Sequence, residues 1–367
     1  MWMKLVPVTA LLATVALTGA AHASPATPVG GELLSGRGLV SPDGVKAPPK
    51  SKATSYVIAD AETGQVLAAK NPHGRFLPAS TLKALTALTL IPVLDKNVTV
   101  KPSRNAVNQE GSAVGLTTKP IYKVDDLFKA LMMSSGNDAA MALAETNGGL
   151  DKTLRDMNAV AKRLQANDTV AKTPSGLDLP GQSSSAYDLA LIARAGLANA
   201  DFRRYISTKT AKFPAPKNYY EISNHNKLLW RYKGMIGVKN GWTSKAQGSF
   251  IGAASRGGHT IIVTIMRHEG YFWDEVADLL DWGFAARSKI TPVGLLVDPL
   301  PVTPPVKQQA KASPAASPSV KAAPALDPAA SQQTDASRLV GSAVVGGGLL
   351  IGVMWLWYGI RRKRSRR

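Results

Sequence analysis

The 367-residue chain contains no cysteine. That excludes a disulfide framework, thiol catalysis and cysteine-ligated metal, so stability has to come from an apolar core alone. The five histidines (His22, His73, His225, His259, His268) are scattered, with no H-E-x-x-H or other metal-ligand spacing. Neither a metal nor a cofactor is expected. Acidic residues are few, 25 against 44 lysines and arginines, which leaves a formal charge of +19. Aromatic residues make up only 6% of the chain and do not interleave with the basic ones, so a nucleic-acid partner is set aside.

The charge divides unevenly. Arg361 to Arg367 carries +6, Lys4 one more and residues 301–338 a net +2, leaving +10 for residues 24–300. Residues 1–23 read as an export signal: Lys4, an apolar run from Leu5 to about Ala20, then Ala21-His22-Ala23 as a small-residue cleavage site. An uncleaved anchor is the alternative, disfavoured by the short run and its small-residue end. Residues 24–53, rich in proline, glycine and small side chains, predict an extended lead-in, and residues 54–290 a folded domain. Residues 291–338 form a Pro/Ala-rich linker. Leu339 to Ile360 then gives 22 residues without a charge, ending in Trp355, Trp357 and Tyr358. A helix of that length spans roughly 33 Å, enough to cross a bilayer. The basic tail 361–367 predicts a cytoplasmic C-terminus, hence a single-pass cell-membrane protein with its domain outside. Leu300-Pro301-Val302-Thr303-Pro304 resembles a wall-sorting signal, but proline stands where glycine is needed and the apolar run begins 35 residues later. A simple anchor is the better reading.

Within the domain, Ser55–Asp60 and Gln65–Lys70 read as strands joined by the turn Ala61-Glu62-Thr63-Gly64. Residues 124–133, 138–145, 153–164 and 187–197 have helical periodicity, and Thr173 to Gly181 is a loop. Ile236–Lys239, Ser249–Ala254 and Thr260–Ile265 predict three more strands, the last pair turned by Gly257-Gly258-His259. A closing helix, Phe272–Phe284, assigns Trp273, Trp282 and Phe284 to the core. Strands at both ends with helices between them predict an α+β fold, one antiparallel sheet flanked by helices, with a helical lobe inserted.

The chemistry centres on Ser80-Thr81-Leu82-Lys83, the only Ser-x-x-Lys in the chain, just after Pro78 and at the start of an apolar helical run. A serine hydroxyl needs a base to become a nucleophile, and a lysine one turn on, desolvated, can serve. The bland alternative makes Ser80 a helix cap and Lys83 a solvated side chain. Two further elements weigh against it. Ser135-Gly136-Asn137 interrupts two helices, and Lys239-Asn240-Gly241 lies on a predicted strand. Ser103-Arg104-Asn105 also matches Ser-x-Asn but comes before the helical lobe begins. The set S-x-x-K, S-x-N, K-x-G in this order is that of penicillin-binding proteins and class A β-lactamases.

Residues 54–290 resemble the serine D-alanyl-D-alanine carboxypeptidases, the low-molecular-mass penicillin-binding proteins, through four stretches: Pro78 to Lys83, Ser134 to Ala140, Ser185 to Ala190 and Gly237 to Thr243. Gly176-Leu177-Asp178 and Asn224 to Leu229 agree. The resemblance implies a β-lactamase/transpeptidase-like fold and a penicillin-sensitive enzyme acting on peptidoglycan pentapeptide stems, with β-lactams as ligands; the membrane is a partner through the C-terminal apolar run. It implies Ser80 as nucleophile and Lys83 as base, with Ser135 and Asn137 passing protons from the opposite wall. The N–H groups of Ser80 and Trp242 would form the oxyanion hole. Lys239, Asn240 and Gly241 would bind the substrate's end, and His225 would stand near its carboxylate or, as the alternative, simply at the surface. Two positions depart from the family: Asn240 replaces threonine, and Gln247 stands near an expected small residue. A β-lactamase, or a non-catalytic wall-binding protein of the same fold, is the competing reading. The first would need a deacylating carboxylate, and Thr173 to Asp178 contains no glutamate.

Overall fold

The computed structural model describes residues 29–301. The predicted signal, nearly all of the Pro/Ala-rich linker, the apolar run 339–360 and the basic tail lie outside the described residues. Among the described residues no helix is long and apolar enough to cross a membrane.

Strand β1 (Leu39–Val40) precedes the hairpin β2 (Ser55–Asp60) and β3 (Gln65–Lys70). A 3-10 turn over Ala79–Leu82 runs into α1 (Lys83–Leu90). Then come β4 (Thr99–Val100), α2 (Arg104–Val107), β5 (Tyr122–Lys123), α3 (Val124–Met133), α4 (Asn137–Thr146) and α5 (Leu150–Arg163). Helices α6 (Ala186–Leu197) and α7 (Ala200–Ser207) lead to a hairpin, β6 (Thr210–Pro214) and β7 (Tyr219–Ser223), and the single turn α8 (Leu228–Arg231). The chain closes with β8 (Met235–Thr243), β9 (Gln247–Arg256), β10 (His259–His268), α9 (Trp273–Ala286) and β11 (Gly294–Leu295).

The main sheet is antiparallel in the order β1-β3-β2-β10-β9-β8, with β11 also on β3. Strands from the two ends of the domain meet at β2 and β10, as the α+β reading expects. Both faces are covered, which is why these strands read as apolar runs rather than alternating ones. Val57, Ala59, Ile251, Ala253 and Ile262 pack toward the helical lobe. Tyr56, Ile58, Phe250, Ile261 and Val263 pack against Val276, Leu279 and Leu280 of α9. Strand β8 ends this order, and among the described residues no strand pairs beyond it, which leaves that side of its backbone to meet a ligand.

Three expectations need correction. The lead-in is part of the fold: Leu34 is fully buried, β1 pairs with β3, and Trp282 Nε1 donates to the Lys46 carbonyl. Proline and glycine there serve turns rather than a free segment. The domain also runs past residue 290, because β11 adds to β3 and Leu296 is buried. The composition did not show this because two paired residues carry no period. Of the three aromatics assigned to the core of α9, Trp273 is buried while Trp282 and Phe284 are half-buried.

Candidate active site

Ser80 stands where backbone geometry is tightest. Ala79 has φ 49°, a left-handed conformation that side chains resist, and such strain gathers at functional sites. Gly176 explains how it is held: a Cβ there would lie 1.9 Å from the Ala79 carbonyl oxygen. The Thr81 and Ser249 hydroxyls both donate to the Pro78 carbonyl at 2.6 Å. The turn carrying Ser80 is 3-10 rather than the α-helix the sequence predicts, and that matters chemically. In a 3-10 turn residues i and i+3 eclipse each other, so Lys83 lies over Ser80, its Nζ 3.0 Å from Oγ.

Lys83 is fully buried. Its Nζ also reaches Asn137 Oδ1 and the Ser175 carbonyl, both at 2.7 Å. Burial, and then the neighbouring Lys239 charge, hold its pKa well below the ordinary lysine range, with Asp138 opposing in part. The lysine expected from the sequence to act as base is therefore in contact with Ser80 Oγ, in surroundings that disfavour its charged form.

The opposite wall is the break between α3 and α4. Ser135 (φ 62°) and Asn137 are 4% and 3% exposed. Asn137 spans the site, accepting from Lys83 and donating through Nδ2 to the Glu110 carbonyl at 2.5 Å. Ser135 lies in the same break, two residues before Asn137. The rival Ser103-Arg104-Asn105 has a structural job: Ser103 caps α2 by accepting from Ala106 N and donates to Glu145 Oε1 at 2.6 Å.

The third wall is β8. Lys239 is fully buried, and burial pushes its pKa down to about 7. Its Nζ donates to the Asn240 carbonyl at 2.8 Å. Gly241 faces Ser80 so closely that a Cβ would lie 2.6 Å from the Ser80 amide nitrogen and 2.9 Å from Ser249 Oγ. Trp242 is 68% exposed at the cleft mouth. Register separates Lys239 from Asn240. Lys239 lies opposite Ile251 on the lobe side, Asn240 opposite Phe250 on the α9 side. His225 is exposed beside the break, its amide donating to the Met133 carbonyl. Desolvation and then the Lys239 charge lower its pKa, so it shares the field of that ammonium.

Several participants escaped the sequence reading. Ser175 contributes a backbone carbonyl, which no side-chain pattern encodes. Asp138 sits inside the Ser134–Ala140 stretch, and its buried carboxylate accepts from the amides of Val114, Gly115 and Leu116 at 2.9–3.2 Å. It thereby fixes the loop that supplies the Glu110 carbonyl. Away from the cleft, His73, Asp168 and Asp188 bring ligand-type atoms within 4.8 Å of one another. Internal bonds engage them: His73 Nδ1 pairs with Asp168 and Nε2 with the Val29 carbonyl, while Asp188 accepts from Asp168 N and Thr169 Oγ1. The cluster ties residue 29 to the lobe.

Residues 43–270 match the family described as D-alanyl-D-alanine carboxypeptidase, peptidase S11. The chain belongs to that family. It is a serine-type D-Ala-D-Ala carboxypeptidase with a β-lactamase/transpeptidase-like fold, as the resemblance implied. The chain is 42% identical over 253 residues to D-alanyl-D-alanine carboxypeptidase DacB2 of Mycobacterium tuberculosis, covering 67% of this chain and 87% of that one. It is 34% identical to D-alanyl-D-alanine carboxypeptidase DacD of Escherichia coli over 64% of each chain, so it spans just under two thirds of that relative. An evolved penicillin-binding protein homologue from Mycobacterium tuberculosis superposes with a TM-score of 0.67 at 39% identity, over 71% of this chain and all of that one. The Streptomyces K15 DD-transpeptidase gives 0.63 at 26% identity, over 65% of this chain and all of that one.

Proposed function

We propose that this carboxypeptidase removes the terminal D-alanine of peptidoglycan stem peptides through an ester on Ser80. Penicillin acylates the same oxygen, and the enzyme works outside the cell on a C-terminal membrane anchor. The observation that carries the chemistry is the Lys83 nitrogen held between Ser80 Oγ, Asn137 Oδ1 and the Ser175 carbonyl. A neutral lysine has two N–H bonds and one lone pair. The two oxygen acceptors at 2.7 Å take the N–H bonds, and the lone pair is left facing the Ser80 hydroxyl.

Ser80 Oγ adds to the carbonyl carbon of the D-Ala–D-Ala bond as Lys83 takes its proton. The N–H groups of Ser80 and Trp242 hold the resulting oxyanion, each donor worth ~10²–10³ in rate. Collapse breaks the C–N bond, and the proton passes through Ser135 to the departing D-alanine amine. Water then cleaves the ester and restores Ser80. Lys239 holds the terminal carboxylate beside β8, Gly241 lets the strand close on the Ser80 turn, and His225 lines the rim; Asn240, whose register turns it to the α9 face, has its role tested by substitution. The only carboxylate in the Thr173–Asp178 loop, Asp178, is bonded to Thr243 Oγ1 at 2.8 Å. With that side chain engaged, this loop offers no free carboxylate to drive a deacylating water, so a penicillin adduct clears slowly and a β-lactamase role is disfavoured.

The anchor rests on the sequence: an uncharged run of 22 residues with a basic flank. The part of the linker beyond the folded domain, residues 302–338, reaches roughly 115 Å at ~3.1 Å per residue, suited to a wall substrate. Intact mass after penicillin treatment tests the acylation. Wild type should gain one adduct and Ser80→Ala none, and Lys83→Ala should slow acylation by ~10² or more. An adduct on the Ser80→Ala protein, or turnover of many penicillins per second, refutes this reading. Surface proteolysis of intact cells tests the topology, which a protected domain would overturn.

A further inference from the structure

We infer that the hydrogen bond between Asp178 and Thr243 is a positioning clamp, holding the lysine side and the oxyanion side of the site at a set distance across Ser80. The assignment rests on the acyl-transfer reading above. The loop carrying Asp178 touches the base side at three points. The Ser175 carbonyl accepts from Lys83 Nζ and the Pro174 carbonyl from Thr86 Oγ1, each at 2.7 Å. Gly176, at φ +85°, packs on the Ala79 carbonyl, one residue before the nucleophile. The loop is braced internally by Thr173 Oγ1, which accepts from Gly176 N at 2.9 Å and bonds Gln182 Oε1 at 3.0 Å, and by Gln182 Nε2 on the Leu177 carbonyl at 2.7 Å.

At its far end the loop reaches the oxyanion side. Asp178 Oδ2 accepts from Thr243 Oγ1, the last residue of β8 and the neighbour of Trp242. The same hydroxyl accepts from Ala246 N at 2.9 Å, so it also closes the β8–β9 turn. Among the described residues this is the side-chain bond joining the loop to β8. Asp178 Oδ1 is buried without a protein partner, so the carboxylate depends on this one donor. β8 is an edge strand: among the described residues no further strand pairs with it. Without the clamp its end can drift from Ser80, and a misplacement of ~1 Å costs about 10² in rate.

The test compares Thr243→Val and Asp178→Ala, which remove the bond, with Thr243→Ser and Asp178→Asn, which keep a hydroxyl donor and an oxygen acceptor. Each variant is titrated for active sites with labelled penicillin, then assayed for acylation rate, for kcat and KM on a D-Ala-D-Ala peptide, and for melting temperature. The two disruptive variants should lower acylation and kcat by about 10- to 100-fold per titrated site, with KM moving less than about threefold. The double variant Asp178→Ala/Thr243→Val should be no slower than the slower single one, and the conservative pair should recover to within about threefold. Unchanged rates per titrated site with a lower melting temperature would reduce the bond to a structural tie and overturn the clamp. Multiplicative losses in the double variant would overturn it too. Wild type run in parallel separates the layers: if it is not acylated at Ser80, the acyl-transfer reading itself falls.

Discussion

With Lys239 holding the substrate carboxylate as proposed, its burial makes the enzyme's grip on that substrate pH-dependent in a definite direction. Burial brings the pKa of this lysine down to about 7. The free enzyme therefore carries its carboxylate-binding charge below neutrality and loses it above. One unit above that pKa roughly a tenth of the molecules keep the charge, and two units above about a hundredth, so kcat/KM should fall about tenfold per unit. The fall should level off once the neutral amine does all the binding. A hydrogen bond to a charged partner is worth roughly 1.5–3 kcal/mol, which places the floor about 10- to 150-fold down. In the complex the bound carboxylate favours the ammonium and raises its pKa, so kcat should hold across pH 7–9, as the loss appears in KM. The assay is a pH series of initial rates on a peptide ending in D-Ala-D-Ala, beside one ending in D-alaninamide. The amide lacks the anion, so its lower kcat/KM should show no such limb. Equal alkaline limbs for both peptides, or a flat profile to pH 9 for the acid, would refute the assignment of Lys239.

Other consequences follow from single contacts. Asn240→Ala should cost about 10- to 150-fold in kcat/KM if its amide donates to the same carboxylate, whereas Asn240→Thr should stay within about tenfold of wild type. An Ala variant as active as Asn would remove this position from recognition. Gly176→Ala should destabilise the domain by roughly 2–5 kcal/mol, from the contact with the Ala79 carbonyl and the left-handed backbone together. Urea unfolding checks this, and a variant unfolding with wild type refutes the contact. Burial raises the Asp188 pKa to about 7, above its unfolded value of about 4. Its stabilising contribution is thus full in acid, declines between about pH 4 and 7, and is gone above. The stability difference between wild type and Asp188→Asn should drift across that window and stay constant from pH 7.5 to 9. A difference that does not change with pH would show that Asp188 stays ionised throughout.

The chain's local chemistry was legible before any fold was known. Ser80 and Lys83 are three residues apart, so any helical turn brings them together. Likewise, the break read at Ser134–Asn137, which the structure ends at Gly136, and the five long strands follow from turn residues and apolar runs. What the sequence could not show is whatever depends on groups distant along the chain. The Lys83 pKa is lowered by burial beneath the lobe and by a lysine 156 positions later. One of its two acceptors is a backbone carbonyl at Ser175, identical in kind at every residue and so silent in sequence. β1 and β11 carry too few residues to show a period and are strands only because β3 offers them an edge. The bond of Asp178 to Thr243 spans 65 positions, and neither residue looks catalytic alone. Local propensity and spacing determine which groups are available for the reaction. Burial, long-range pairing and the approach of backbone atoms decide how strongly each is charged and where it points, and these exist only once the sheet has brought the two ends of the domain together.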